Sequence, residues 1–213
     1  PNIDAGNGSS VNSSWDLNSK PIITSQVEMG GDIYVGLGNG TSDAEVWRCS
    51  SCTTSPSWTQ VGGDGLYSSW ADGTYEEVTS LATDGTTLYV GIGLTTNDAE
   101  VWRCSSCGGT PNWGGSRIAG KGANSTWNTS YETVSSMVAS GSTLVVGIGN
   151  NAANEAEVWR CTSCDTSPSW SKIGGDGVNS SWNTSYENVP SMVLMGTNVV
   201  VGLGITAGDG EVW

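Results

Sequence analysis

Six cysteines and eleven tryptophans are the residues of this chain best equipped for chemistry or binding, and no histidine accompanies them. Without histidine there is no Ser-His-Asp or Cys-His activation and no His-containing zinc site. Carboxylate chemistry remains, and it needs two Asp or Glu groups close together in a cleft. Asp64 and Asp176 occupy matching Gly-Asp-Gly loops, but the corresponding places elsewhere fall near Asn7 and on Lys121. That pattern suits turn residues selected for backbone geometry. No catalytic residue is assigned, and the chain is expected not to be an enzyme.

The cysteines form three Cys-x-x-Cys pairs, Cys49 with Cys52, Cys104 with Cys107 and Cys161 with Cys164, each shortly after a Trp-Arg dipeptide. Haem attachment requires histidine after the second cysteine, where this chain has Thr53, Gly108 or Asp165. One pair offers zinc only two ligands, and equivalent loops of different repeats are expected to point apart. Local disulfides in an oxidising compartment are therefore expected, each closing a loop so short that it contributes only about 2 kcal/mol. No cofactor or metal is assigned. An Asp-rich calcium motif is likewise absent from the sequence.

Indole faces stack on sugar rings, which makes Trp15, Trp70, Trp127 and Trp182, set among Asn- and Ser-rich loops, candidate ligand-binding residues. Core packing competes with that role. With no Phe in the chain, tryptophan must fill large gaps, and Trp47, Trp102, Trp159 and Trp213 are expected in the core.

The elements that position these residues repeat four times. Segments of the type Gly-Thr-Thr-Leu-Tyr-Val-Gly-Ile-Gly begin at Gly31, Gly85, Gly141 and Gly196, at spacings of 54, 56 and 55 residues. Each is followed by Glu-Val-Trp, ending at Trp47, Trp102, Trp159 and Trp213. A repeat reads as four short strands. Strand a follows Tyr75, Tyr131 or Tyr186, strand b is the Leu-Tyr-Val-Gly-Ile segment, strand c is Ala-Glu-Val-Trp-Arg, and strand d resembles Trp58–Val61. Turn dipeptides separate them and no helical periodicity intervenes. Pro190 is placed within strand a, at a sheet edge that tolerates its missing N–H.

The expected fold is all-β, a four-bladed β-propeller of four-stranded antiparallel blades with about 55 residues per repeat. It is read as one domain over 1–213, with repeats at 4–61, 62–118, 119–173 and 174–213. The N-terminus is expected to complete the last blade, with Pro1–Ile3 pairing beside Glu211–Trp213 so that no edge stays open. A start at Pro1 is expected of a processed product or a piece of a longer array. The motif set Gly-x-x-Leu-Tyr-Val-Gly-x-Gly, Glu-Val-Trp-Arg and Trp-x-x-Ile-Gly resembles the blades of kelch-like and two-component-regulator-type propellers. This resemblance implies the propeller fold and leaves function open, because such folds host sensors, adhesins, lectins and enzymes.

The net charge of −14 opposes association with nucleic acid and anionic membranes, and no apolar run is long enough to span a bilayer. An extracellular location, secreted or at the cell surface, fits the acidic, Gly-, Ser-, Thr- and Asn-rich composition and the confined cysteines. The function expected first is a non-enzymatic structural, adhesive or self-assembling module, in a surface layer or filament, whose partners are its own copies or other surface proteins. A multivalent carbohydrate-binding lectin with glycan partners is the alternative, and a carboxylate-dependent glycan-active enzyme ranks third.

Overall fold

The computed structural model describes residues 22–38, 44–63, 65–70, 75, 77–95, 98–115, 117–120, 122–127, 131–149, 155–175, 177–182, 186–204 and 210–213. Their secondary structure is almost entirely β. The first sheet is β1 (Ile22–Met29), β2 (Asp32–Gly38), β3 (Glu45–Ser50) and β4 (Ser57–Gly62), hydrogen-bonded in that order. The second runs β5 (Val78–Thr83), β6 (Thr87–Ile92), β7 (Glu100–Ser105) and β8 (Arg117–Ala119). The third contains β9 (Thr133–Ser140), β10 (Thr143–Gly149), β11 (Glu157–Thr162) and β12 (Ser169–Gly174). The fourth has three strands among the described residues, β13 (Ser191–Met195), β14 (Asn198–Leu203) and β15 (Glu211–Val212). Pairing Pro1–Ile3 beside β15 concerns residues outside those described.

The alternation expected of a half-buried strand is clear in β5, where Val78, Ser80 and Ala82 are buried and their neighbours partly exposed. The b strands are buried more completely, and all six residues of β6 are inside. Two compact units divide the chain, Pro1–Ile92 with Trp102–Ser116 and Gly93–Val101 with Arg117–Trp213. The core of the first includes Tyr34, Val46, Trp70, Leu88 and Trp113, and that of the second Val145, Val158, Trp182, Val189 and Val201.

A β-bulge recurs between strands a and b. The register shifts between Ile23 and Ser25 in β1, between Val78 and Ser80 in β5, and opposite Gly147 and Ile148 in β9. The extra residues are Thr24, Thr79 and Ser135. A bulge puts one residue out of the ladder and re-aims its side chain. Ser135 Oγ accordingly lies 3.1 Å from the Gly147 carbonyl and 2.8 Å from the Val189 carbonyl of the next repeat. Thr24 Oγ1 donates in the same way toward the carbonyls of Gly36 and Val78. Hydroxyls thus link one sheet to its neighbour within each compact unit, and in the second Ser136 Oγ also donates to the Val189 carbonyl, at 2.6 Å.

Pro190 occupies the equivalent place in the fourth repeat. It lies just before β13 rather than within strand a, which corrects the sequence reading: the position tolerates proline because, outside the β13–β14 ladder, no N–H is required of it. Two single 3-10 turns, Leu66–Ser68 and Val178–Ser180, are the only helical segments among the described residues.

Close approach of neighbouring repeats explains the glycine of strand b. A Cβ on Gly147 would fall 2.7 Å from both Ser136 Oγ and Val189 Cβ, and one on Gly36 would fall 2.4 Å from Val78 Cγ1. Gly147→Ala is therefore expected to lower unfolding free energy by about 1–3 kcal/mol, measured by chemical denaturation.

The β5–β6 turn is held by Asp84, whose Oδ1 accepts from the amides of Thr86 and Thr87 and from the Thr86 hydroxyl, all at 2.8 Å. Burial pushes the Asp84 carboxyl up, but these donors and the Tyr89 hydroxyl together hold it below its ordinary value of 3.8. The contribution of a depressed carboxyl is complete above its unfolded pKa and is lost as pH falls through the folded one. Asp84→Asn is expected to flatten the acid limb of stability against pH below about 4, and an unchanged acid limb would rule out this role.

Candidate functional site

Three of the four tryptophans proposed for ligand contact lie among the described residues, and all three are buried. Trp70, Trp127 and Trp182 retain 2%, 3% and 5% of their accessible surface. Each indole N–H donates to a backbone carbonyl, Trp70 to Ala44 at 2.7 Å, Trp127 to Ala99 at 2.9 Å and Trp182 to Ala156 at 3.0 Å. Trp15 is outside the described residues, as are Asp64, Asp176, Lys121 and Asn7.

The loop leading to each tryptophan is closed by its own hydrogen bonds. A hydroxyl just before the indole, on Ser69, Thr126 or Ser181, accepts the amide of Gly63, Gly120 or Gly175 at 2.9–3.0 Å. Gly120 illustrates why glycine is needed there. Its φ is +99°, and a Cβ would lie 2.3 Å from the Ala99 carbonyl oxygen, the acceptor of the Trp127 indole.

A second ring packs edge-on against the first. Trp102 lies 5.9 Å from Trp70, Trp159 is 5.9 Å from Trp127 and Trp213 is 6.2 Å from Trp182, with interplanar angles of 64–67°. These are the tryptophans of Glu-Val-Trp, and the motif has a direct physical meaning. Residues i and i+2 of a strand share a face. The glutamate accepts the indole N–H two residues on, Glu45 from Trp47 at 2.6 Å, Glu157 from Trp159 at 2.7 Å and Glu211 from Trp213 at 2.8 Å.

The other carboxylate oxygen meets a cation from strand d. Glu100, fully buried, pairs with Arg117 at 2.7 Å, and Glu157 pairs with Lys172 at 2.8 Å. Beside Glu157, the Tyr131 phenol is pushed far above its ordinary value by burial and by the glutamate charge. It stays neutral throughout the working pH range. Among the described residues, no group of three or more His, Cys, Asp or Glu is arranged to hold a metal ion.

A third ring completes two of these clusters. Trp113 lies 5.2 Å from Trp70 and donates to the Val61 carbonyl at 2.6 Å, and Trp170 lies 5.8 Å from Trp127 and donates to the Ile118 carbonyl at 2.8 Å. In the β3–β4 pairing the register skips Val61, so its carbonyl is released from the ladder to accept an indole. The β11–β12 pairing skips Ile173 in the same way. Beside Ile173 is a pocket of about 260 Å³ lined by Gly174, Trp182, Val199, Val201 and Trp213. A second pocket of about 610 Å³ includes Thr143, Val145, Arg160 and the β13–β14 turn.

The cysteines pair as expected, Cys49–Cys52, Cys104–Cys107 and Cys161–Cys164, with Cα separations of 5.8 Å. All six are essentially buried beneath their hairpins. Arg48 reaches from β3 to the next such loop, its Nη1 donating to the Cys107 carbonyl at 3.1 Å while its Nε lies 3.6 Å from Asp32. Spacing alone revealed the cysteine pairs. It did not reveal Trp113 and Trp170 as partners of Trp70 and Trp127, although their recurrence before Ile118 and Ile173 was the available signal.

No protein-family model matches the chain, and no curated protein matches it. Among solved structures it is similar to the WD40 β-propeller domain of Doa1, with TM-score 0.52 and 12% identity over 91% of this chain and 52% of that one. The chain is a tandem-repeat β-propeller. Its fold is all-β and four-bladed, with four-stranded antiparallel blades, three of them complete among the described residues. It spans about half the length of the Doa1 structure. A Bombyx mori GH32 β-fructofuranosidase in complex with sucrose also matches, with TM-score 0.44 and 13% identity over 89% of this chain and 42% of that one.

The clusters set the expected cost of disrupting the propeller. Trp127→Ala removes a ring packed on both sides and is expected to cost about 3–5 kcal/mol. Trp182→Ala, beside an open pocket, is expected to cost less. Parallel urea denaturation of the two variants checks the order.

Proposed function

We propose that this propeller is a non-enzymatic extracellular module with a structural or self-assembling role, the kelch-like or two-component-regulator-type kinship resting on its blade motifs. The observation that carries the reading is the hairpin disulfide repeated in three sheets. Such bonds persist in secreted and cell-surface proteins and are reduced in cytosol. The motif carboxylates support it as well, because each described Glu-Val-Trp glutamate that accepts an indole N–H serves packing. Partners in this reading are further copies of the chain or other surface proteins.

Carbohydrate binding draws no support from Trp70 or Trp127, which are packed between other rings, whereas Trp182 lines the pocket beside Ile173.

Two measurements on the native protein test the proposal. Alkylation in denaturant without reductant is expected to label none of the six cysteines, whereas labelling of the native pool would overturn the extracellular assignment. Sedimentation and electron microscopy over a concentration series are expected to show ordered oligomers or filaments. A strict monomer that binds glycans on an array would replace the module with the lectin.

A further inference from the structure

The loop that ends on each of the buried tryptophans Trp70, Trp127 and Trp182 passes through a tip three residues earlier. The tip residue is Tyr67, Asn124 or Asn179, with φ of +53°, +51° and +52°, and all three are exposed. Two residues on, Ser69, Thr126 or Ser181 closes the loop by accepting a glycine amide. Asn124-Ser125-Thr126 and Asn179-Ser180-Ser181 therefore each have the form Asn-x-Ser/Thr with no proline in the middle, the acceptor sequence for N-linked glycans.

The hydroxyl of this sequence has a structural duty, but the loop does not require the asparagine. Asn124 Nδ2 donates to the Ile118 carbonyl at 2.9 Å and Asn179 Nδ2 to the Ile173 carbonyl at 3.1 Å. Tyr67 has no amide to give. Its loop nevertheless has the same left-handed tip and the same closure, Ser69 on Gly63, and its Val61 carbonyl accepts Trp113 at 2.6 Å. Left-handed backbone favours asparagine, and Tyr67 shows that this tip forms without it. The exposure of Asn124 is also that of a filled socket, because Trp170 already donates to the same Ile118 carbonyl and packs on Trp127.

We propose that Asn124 and Asn179 are attachment sites for N-linked glycans. The inference rests on the extracellular reading, since exported surface loops are where such glycans are carried. The donor is an oligosaccharide linked to a lipid pyrophosphate. Transfer forms a bond from Nδ2 to the anomeric carbon of the sugar, breaks the bond from that carbon to the pyrophosphate oxygen and releases one amide proton. One amide hydrogen remains, which is the number each asparagine gives to its carbonyl, so the closed loop accommodates the glycan. Transfer precedes closure, because in the folded loop Thr126 is only 8% exposed and its hydroxyl donates to the Ala123 carbonyl.

The test is mass spectrometry of the native protein, with fragmentation that separates Asn124 from Asn128 and Asn179 from Asn183. Sugar mass is expected on both Asn124 and Asn179. Asn124→Tyr, produced in the same host, copies the Tyr67 loop and is expected to lose the sugar at that site while all three disulfides still form. Either asparagine bare in every copy would overturn the proposal, as would a variant that keeps all the sugar of this segment. Bare asparagines beside cysteines that resist alkylation would end this inference and leave the extracellular reading standing. Bare asparagines beside free cysteines would end both.

Discussion

A buried indole N–H must find an acceptor, and the architecture of this propeller is arranged around that demand. An indole has one donor and no acceptor, so its only means of satisfaction is an oxygen at the right place. Inside a sheet the ladders consume most carbonyls, so a spare oxygen comes from an edge, a bulge or a side chain. The chain supplies free oxygens by three devices. The alanine just before strand c keeps its carbonyl for the tryptophan of the loop. The strand-d bulge releases Val61 and Ile173 from the ladder. The glutamate of Glu-Val-Trp serves the indole on its own strand. Tryptophan is thereby both the bulk that fills the interior and the group that fixes the register of its surroundings.

The bulge in strand a solves a related problem at the other side of each sheet. Neighbouring repeats approach so closely at Gly36 and Gly147 that no side chain fits, and the gap is bridged by the hydroxyl of Thr24 or Ser135. A residue kept inside the ladder would point above or below the pleat. Put out of register, Ser135 reaches the Val189 carbonyl of the next repeat, where Ser136, still in the ladder opposite Gly147, donates as well. Pro190 can take this position in the fourth repeat because no N–H is required there, but it brings no hydroxyl, and the exposed side chains of Val193 and Met195 follow it.

Much of this architecture was legible in the sequence because its markers are periodic. Four glycine-bounded b strands and four Glu-Val-Trp motifs gave the number of sheets and the order of strands within each. Cys-x-x-Cys without histidine gave the disulfides. The meaning of the tryptophans was harder to read, since an indole beside Asn and Ser looks the same in sequence whether it faces a ligand or the core. The deciding facts are non-local: Trp70 meets Ala44 and Trp113, which lie 26 and 43 residues away. Bulges were invisible for another reason. They add a residue that no single repeat marks: Thr24, Thr79 and Ser135 share a hydroxyl in a chain rich in Ser and Thr, and Pro190 shares only their position.

A relay of this kind has a consequence for the last repeat described. Each socket is made by one repeat and filled by the tryptophan that follows strand c of the next, so every filled socket requires a later hairpin. Trp113 fills the one at Trp70, and Trp170 fills the one at Trp127. Around Trp182 the corresponding groups are held in the same way: Ser181 Oγ accepts the Gly175 amide, Asn179 donates to the Ile173 carbonyl, and the Trp182 indole donates to Ala156. The indole that fills a core gap therefore also joins one repeat to the next, because its ring packs on a tryptophan and its N–H is received by a carbonyl that lie 43 and 52 residues earlier in the chain.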